Sequence, residues 1–361
     1  MIAVLFSGSC LDYTVTTSVN RDGSIYRMYE VRGDSVSVFG GSLLVPSGPD
    51  WNISHEYTYK ERDDTLSEKS QYIYKASRTF SNVRELNDWI AGDTSRLTIK
   101  PKVSLVRRFR WFYTYFDYKE VYPVSFPFKN LPVDSFLTEK EQSIIMDDDR
   151  VAYSPKDKEL VWKKNAASFT YSHSDSLEIK RISDYCQKRL EQWMGASMVQ
   201  EYLDILNSHF GGDSAAKMIT RKAATFRETM TWKFDIMSLD SISVRLLAVT
   251  ADSLISSTRL QVLCKAHPDV FGVFDLKFRE IEKVVTTDSY RQYLSLPGTV
   301  YSTNAEGDGA TGMTWTFDSD SFFMKDYEMK ASSRVPNRWI MVITALIAVI
   351  LVLMLIFMKR K

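Results

Sequence analysis

The spacing of apolar and polar residues changes along the chain. Residues 11–19 alternate between the two kinds, a turn-forming stretch follows at 20–23, and residues 25–31 alternate again. This pattern predicts a β-hairpin at the start of the domain. Further strands are predicted at 55–60, 71–80 and 103–118, and short helices at 83–90, where Ser81 is available as a cap, and at 139–146.

The middle of the chain has a helical period. From residue 177 apolar side chains recur every three or four positions, which predicts one long helix or two helices with a bend near Gly195. Two glycines at 211–212 end this segment, and Asp213 can cap a second helix that runs from residue 214 to about 227. Helices therefore occupy the centre of the chain.

After the helices the pattern returns to strands. Residues 231–236 alternate, and strands at 298–303 and 313–317 flank a glycine-containing loop, which we interpret as a hairpin. One more strand is predicted at 322–332. Strands at both ends with helices between them indicate an α+β fold, a β-rich domain with a central helical insertion, in which the first and last strands share one sheet system.

A long apolar run closes the chain. Residues 340–358 carry Thr344 as their only hydroxyl and no charge, and as a helix they extend over roughly 28 Å, close to the ~30 Å hydrocarbon core of a bilayer. We therefore expect a single transmembrane helix at 339–358. Basic residues flank it on both sides, so the bias of positive charge toward the cytoplasm does not set its orientation.

The first ten residues resemble the end of a bacterial lipoprotein signal. A short apolar run is followed by small residues and then Cys10, whose thiol such a signal presents for acylation. Ser7 stands where leucine is usual and no basic residue precedes the run, so residues 1–9 are interpreted as the remnant of a longer signal. The alternative is that residues 2–6 begin a first strand.

Composition limits the classes of partner. The 46 basic and 45 acidic residues give a net charge of +1, which provides no electrostatic reason for nucleic acid to bind. Three cysteines are too few for a disulfide scaffold. Cys186 and Cys264 could pair in an oxidising compartment, but two separate buried thiols are the favoured interpretation.

Few residues suggest catalysis or metal binding. No metal-binding or catalytic motif includes any of the four histidines, His55, His173, His209 and His267. Asp147, Asp148 and Asp149 could bind calcium, but they lack the spaced ligands of a calcium loop and better fit a solvated helix end. We therefore expect no metal, no cofactor and no catalytic residue.

Several Asp-Ser or Asp-Thr pairs precede an aliphatic or small residue. The pattern resembles an O-glycosylation motif of some bacterial envelope proteins, and the same pairs also serve as helix caps. They begin at Asp34, Asp64, Asp175, Asp213, Asp240 and Asp252.

A basic and aromatic run at 107–113 is more suggestive of binding. On a single strand, Arg108, Arg110 and Phe112 would share one face, and Trp111 would lie on the other with its aromatic neighbours. The arginines could contact lipid head groups, and the rings could stack on sugars. These four residues form our candidate lipid- or partner-binding strip, against the alternative of an aromatic core face with solvated arginines.

The two ends of the chain resemble a known family. Cys10 followed by a strand ending in VNRDG at 19–23, then PGTVYSTN at 297–304 and WTF at 315–317 ahead of a terminal membrane helix, is similar to the LppM-like bacterial envelope lipoproteins. The resemblance implies a lipid-anchored, membrane-attached, β-rich ectodomain that binds envelope lipids or glycolipids. It carries over no catalytic residue.

These patterns, together with what the resemblance implies about lipid binding, predict a non-enzymatic lipoprotein of the bacterial inner membrane that binds lipid, glycolipid or a membrane-protein partner, with its folded domain extracytoplasmic. A membrane-tethered hydrolase whose site forms only in the fold, and a eukaryotic tail-anchored protein facing the cytosol, are the alternatives. The predicted parts are a signal remnant at 1–9, a β-rich part at 10–135, a mainly helical part at 136–230, a β-containing part at 231–334 that closes the same domain, the transmembrane helix at 339–358 and a basic cytoplasmic tail at 359–361.

Overall fold

A computed structural model describes residues 12–33, 45–60, 69–92, 99–146, 151–162, 171–236, 243–284, 289–307 and 312–359. The chain divides into two compact units, a helical unit at Val124–Val285 and a β unit that combines Ser7–Pro123 with Thr286–Lys361. The predicted fold class is confirmed, since the fold is α+β with a central helical insertion and one apolar C-terminal helix.

The strands are β1 (Asp12–Val19), β2 (Ile25–Gly33), β3 (Asn52–Lys60), β4 (Lys69–Phe80), β5 (Lys102–Phe109), β6 (Tyr113–Tyr122), β7 (Val151–Ser154), β8 (Glu159–Trp162), β9 (Ser289–Ser295), β10 (Thr299–Thr303), β11 (Met313–Asp318) and β12 (Tyr327–Pro336). The helices are α1 (Val83–Gly92), α2 (Glu139–Ile145), α3 (His173–Phe210), α4 (Ser214–Arg221), α5 (Ala223–Ile236), α6 (Val244–Ile255), α7 (Arg259–Ala266), α8 (Pro268–Val284) and α9 (Arg338–Lys359).

The β unit is a two-layer sandwich. Its larger sheet has the strand order β11-β9-β1-β2-β4-β3, and its smaller sheet has the order β10-β12-β6-β5. The predicted hairpin of β1 and β2 is confirmed, and β1 also pairs in parallel with β9, from Asp12 with Ser289 to Ser18 with Ser295. Alternating positions of these strands are buried between the layers, as expected for half-buried strands.

Rings join the layers at one end of the sandwich. The ring centre of Tyr13, at the start of β1, lies 6.0 Å from that of Tyr290. The Phe317 ring centre lies 5.4 Å from that of Tyr290 and 5.2 Å from that of Tyr122. Tyr122 is the last residue of β6, and at ~3.3 Å per residue it is about 30 Å along the strand from Tyr113. The start of β1 therefore lies at the opposite end of the sandwich from the start of β6.

One prediction of strand pairing is wrong. The strands at 298–303 and 313–317 exist, but they do not form a hairpin with each other, since β10 pairs with β12 and β11 pairs with β9. Pairing with strands distant in sequence has overridden the local pattern. The prediction that strands from the two ends of the chain share one sheet system is confirmed, since β9 and β11 lie beside β1 in the larger sheet, while β10 and β12 lie in the smaller one.

The helical unit extends further than predicted. Residues 231–236 lie in α5, so the strand predicted there is wrong, and helices continue to Val284. Of the two alternatives for the segment from residue 177, the single long helix is the one observed, since α3 is one continuous helix of 38 residues. The Asp213 cap is confirmed, since its carboxylate accepts a hydrogen bond from the Ala215 amide at 2.8 Å, although that helix ends at Arg221 and α5 begins at Ala223.

Candidate functional site

The predicted strand at 103–118 is wrong, because it is a hairpin. The Arg110 amide donates to the Tyr113 carbonyl at 2.8 Å, which leaves Trp111 and Phe112 as a two-residue turn between β5 and β6. Neither residue has a positive φ, whereas tight hairpin turns usually use Asn-Gly or Asp-Gly at such positions. The sequence therefore carries no local turn signal here.

The hairpin tip, defined as residues 109–112, is exposed and aromatic. Phe109 is 58% exposed, Trp111 57% and Phe112 44%, so none of these rings belongs to the sandwich core. The alternative of an aromatic core face is thus wrong for Phe109 and Trp111. Of the predicted strip, Arg110, Trp111 and Phe112 lie together at the tip, while Arg108 lies on β5 and pairs with Asp117 at 2.5 Å.

Asn337, which the sequence analysis missed, connects the tip to α9. Its backbone amide donates to the Phe112 carbonyl at 2.8 Å, and its side-chain Nδ2 donates to the Arg110 carbonyl at 2.7 Å. Its Oδ1 accepts a hydrogen bond from the Thr114 hydroxyl at 2.9 Å, and the side chain is buried. An asparagine between a strand and an apolar helix was the available signal.

A second bond joins the tip to α9 further along the helix. The indole Nε1 of Trp111 donates to the Thr344 hydroxyl at 2.9 Å, and that hydroxyl donates to the Ile340 carbonyl at 2.8 Å. The only hydroxyl of the apolar run therefore accepts a bond from the tip. Together with Asn337 it fixes how the hairpin and the first two turns of α9 lie relative to each other.

Beyond this junction the described side chains of α9 are exposed. The window Arg338–Ile356 has a mean hydropathy of 3.1 and is 6% buried, so α9 is not the core helix of a soluble domain. By length and composition it is long and apolar enough to cross a membrane. The predicted helix at 339–358 is confirmed as a helix.

Arginines surround the junction. The Arg334 guanidinium lies 5.0 Å from the centre of the Tyr113 ring, within cation–π distance. Within the described part of the chain, no carboxylate lies within ion-pair distance of Arg110, Arg334 or Arg338. This end of the β unit therefore combines exposed rings with uncompensated positive charge.

A second cluster, also missed from the sequence, lies inside the sandwich. Arg27 of β2 and Glu120 of β6 form a two-bond ion pair at 3.1 and 2.6 Å, and both side chains are 0% exposed. Glu120 also accepts hydrogen bonds from the Tyr118 hydroxyl at 2.5 Å and from the Gln292 amide at 2.6 Å. Opposite charges at inward positions of two alternating strands were the signal.

This cluster is charged and closed to solvent. Burial lowers the pKa of Arg27, but the Glu120 carboxylate, together with the nearby Tyr29 and Tyr118, more than offsets it and holds the pKa above the usual value. Burial and the same carboxylate raise the pKa of Tyr118 well above its usual value. Because the cluster is closed to solvent, it is suited to joining the sheets and not to binding a substrate.

No protein family, curated protein or solved structure matches this chain.

The remaining candidate residues are dispersed. Among the residues that the structure describes, no group of three or more His, Cys, Asp or Glu side chains could hold a metal ion. Cys186 and Cys264 are free thiols, as the favoured interpretation predicted, but only Cys186 is buried and Cys264 is half-buried. Burial raises the pKa of each to about 11. Cys10 and Asp147 to Asp149 lie outside the described residues.

The described Asp-Ser pairs cap helices. Asp175 completes a capping box with Ser172 at the start of α3, and Asp213 caps α4. Asp252, in α6 and 1% exposed, accepts hydrogen bonds from the amides of Leu260 and Gln261 and so caps α7. Capping explains these three aspartates without glycosylation, and the pairs at Asp34, Asp64 and Asp240 lie outside the described residues.

Proposed function

We propose that this chain is a non-enzymatic, membrane-anchored protein of the bacterial envelope that binds lipid or a membrane-protein partner with its β unit. The observation that carries the proposal is α9, an apolar helix whose side chains lie bare beyond Thr344. Leaving so many aliphatic side chains in water would be costly, and a bilayer removes that cost.

The junction between the hairpin tip and α9 supports an anchor that also orients the β unit relative to the helix. Asn337 and Thr344 hold α9 against the hairpin tip, so the β unit is attached to the helix by bonds as well as by the chain. Exposed rings and unpaired arginines at this end favour contact with lipid head groups or with a partner in the membrane. The buried Arg27–Glu120 pair is closed to solvent and favours a structural role over a catalytic one.

The anchor is tested by charging α9. Val349→Arg with Leu353→Arg places two charges in the middle of the helix, each opposed by about 2.5–3.5 kcal/mol of insertion free energy. All variants are made in a Cys10→Ala background, so that no acyl chain can retain the protein, and we expect the charged α9 variant to be extracted by carbonate from cell membranes while its parent stays in the membrane fraction. The matched control is Val262→Arg with Val273→Arg, since both valines are exposed on helices of the helical unit. Equal resistance of both variants would remove α9 as the anchor.

The second part of the proposal is that Cys10 is acylated. An acyl group there would place the folded domain on the outer face of the inner membrane. Asp12 follows Cys10 closely and begins β1, at the end of the sandwich opposite to the hairpin tip. Since β6 runs about 30 Å between these ends, both anchors can enter one bilayer only if the sandwich lies along the membrane surface. Labelling with a palmitate analogue in the native host should depend on Cys10, and label retained in Cys10→Ala would overturn acylation at this residue.

A further inference from the structure

We infer that the hairpin tip is a second membrane-inserting element, which enters the boundary between head groups and acyl chains beside α9. The inference deepens the proposed function and rests on α9 spanning the membrane. The occupant of this exposed surface would then be the bilayer itself, and not a soluble partner.

The bond to Thr344 sets the depth of the tip. Thr344 lies about 9 Å along the helix from Arg338, at ~1.5 Å per residue. The Trp111 indole is bonded to its hydroxyl, so the tip reaches to the same level as the second turn of the apolar helix. Interfacial elements bury their apolar side to ~5–10 Å, and tryptophan is enriched at this level.

The polar groups of the turn are suited to a low-dielectric environment. An unsatisfied backbone group in hydrocarbon is strongly unfavourable, which excludes most turns from membranes. Here Asn337 donates to the carbonyls of Arg110 and Phe112, and the Arg110 amide donates to Tyr113. The Trp111 indole N–H donates to Thr344. The turn can therefore enter the bilayer boundary with these bonds already made within the protein.

The charges around the tip fit the same depth. Arg110 is at the tip itself, while Arg334 and Arg338 lie at the end of β12 and the start of α9. A long arginine side chain can keep its charge among phosphate groups while its carbon chain lies in the apolar layer. Exposed Phe109, Trp111 and Phe112 would then be covered by lipid.

Photo-crosslinking to lipid tests this inference. The full chain is reconstituted in vesicles of phosphatidylcholine and phosphatidylglycerol, with benzoylphenylalanine in place of Phe109, Phe112 or Tyr57. Illumination joins the ketone carbon of this residue to an acyl-chain carbon, and the hydrogen of that C–H bond moves to the ketone oxygen. Tyr57 on β3 is the matched control, since it is 58% exposed, as Phe109 is, and lies in the same unit.

We expect several-fold more lipid adduct, measured by mass spectrometry, at positions 109 and 112 than at 57. Carbonate extraction of the same vesicles reports on α9 separately. If the chain is integrated but the tip gives no more adduct than position 57, the inference is wrong and the proposed anchor stands. If the chain is not integrated, both fail.

Asn337→Ala provides a second test, in which the residues of the hairpin tip other than the crosslinking position keep their natural side chains. Removing the side-chain donor exposes the Arg110 carbonyl, so adduct at 112 should fall several-fold while integration stays unchanged. The control is Asn130→Ala, because the side-chain amide of Asn130 donates hydrogen bonds to Glu201 and Asp204 within the helical unit. Unchanged adduct in Asn337→Ala would overturn the role given to Asn337 in insertion.

Discussion

Neutralising Glu120 should destabilise the β unit far more than neutralising an exposed carboxylate. In Glu120→Gln the side chain keeps its size, but the Arg27 guanidinium stays buried without a counter-charge. Removing one partner of a buried pair costs about 3–5 kcal/mol, because the other ion remains out of water. Both side chains are 0% exposed and the pair makes two bonds, so solvent screens little of this loss. For a unit of this size the midpoint of thermal unfolding should fall by about 6–20 °C.

The assay is urea and thermal unfolding of the full chain in detergent micelles, followed by tryptophan fluorescence. Glu328→Gln is the control, because Glu328 pairs with Lys119 at 2.5 Å on the surface, where such a pair contributes about 0–1 kcal/mol. Combining Glu120→Gln with Arg27→Met leaves no buried ion and should recover part of the loss. Equal losses in the two single variants, or a double variant less stable than Glu120→Gln alone, would refute the reasoning.

Three further predictions concern other buried groups. Asp252→Ala should lower the unfolding free energy of the helical unit by about 1–3 kcal/mol, because two amides of α7 lose their acceptor, whereas Ser253→Ala should change it by less than about 0.5 kcal/mol in the same urea titration. Since the pKa of Tyr118 is raised in the folded state, the unfolded chain releases this proton first, so stability should fall as pH rises above about 10; a urea midpoint that is equal at pH 8 and pH 10.5 would contradict this. Cys186 and Cys264, each with a pKa of about 11, should react with iodoacetamide at pH 8 on the order of 100-fold more slowly than after unfolding, as measured by mass spectrometry.

Local signals were sufficient where neighbouring residues determine the structure. The hairpin of β1 and β2 followed from alternation around an Asn-Arg-Asp-Gly turn, in which Gly23 has φ +97°. The cap at Asp213 and the apolar helix α9 were predicted for the same reason. In each case the deciding interactions lie within a few residues of one another.

Pairing between distant segments could not be predicted in this way. β10 and β11 are close in sequence, yet β10 pairs with β12 and β11 with β9. Residues 231–236 are too few to separate a period of 2 from one of 3.6, and packing within the helical unit selected the helix.

The candidate site was found in part. Arg110, Trp111 and Phe112 attracted attention because basic and aromatic residues adjoin, but their turn lacks glycine, asparagine or proline, so the hairpin was missed. Asn337 and the Arg27–Glu120 pair act through partners far away in sequence. The inward positions of Arg27 and Glu120 indicate an ion pair only when β2 and β6 are known to face each other.

The parallel pairing of β1 with β9 has a consequence for how the protein is made. β1 leaves the ribosome well before its partner β9, which follows only after the whole helical unit, roughly 14–55 s later at ~5–20 residues per second. Until then β1 has an unpaired edge, which is prone to aggregation. The helical unit is continuous in sequence and can complete its fold in this interval. We therefore expect the sandwich to close last, just as α9 emerges, so biogenesis would need a chaperone or the membrane itself to protect β1 and β2.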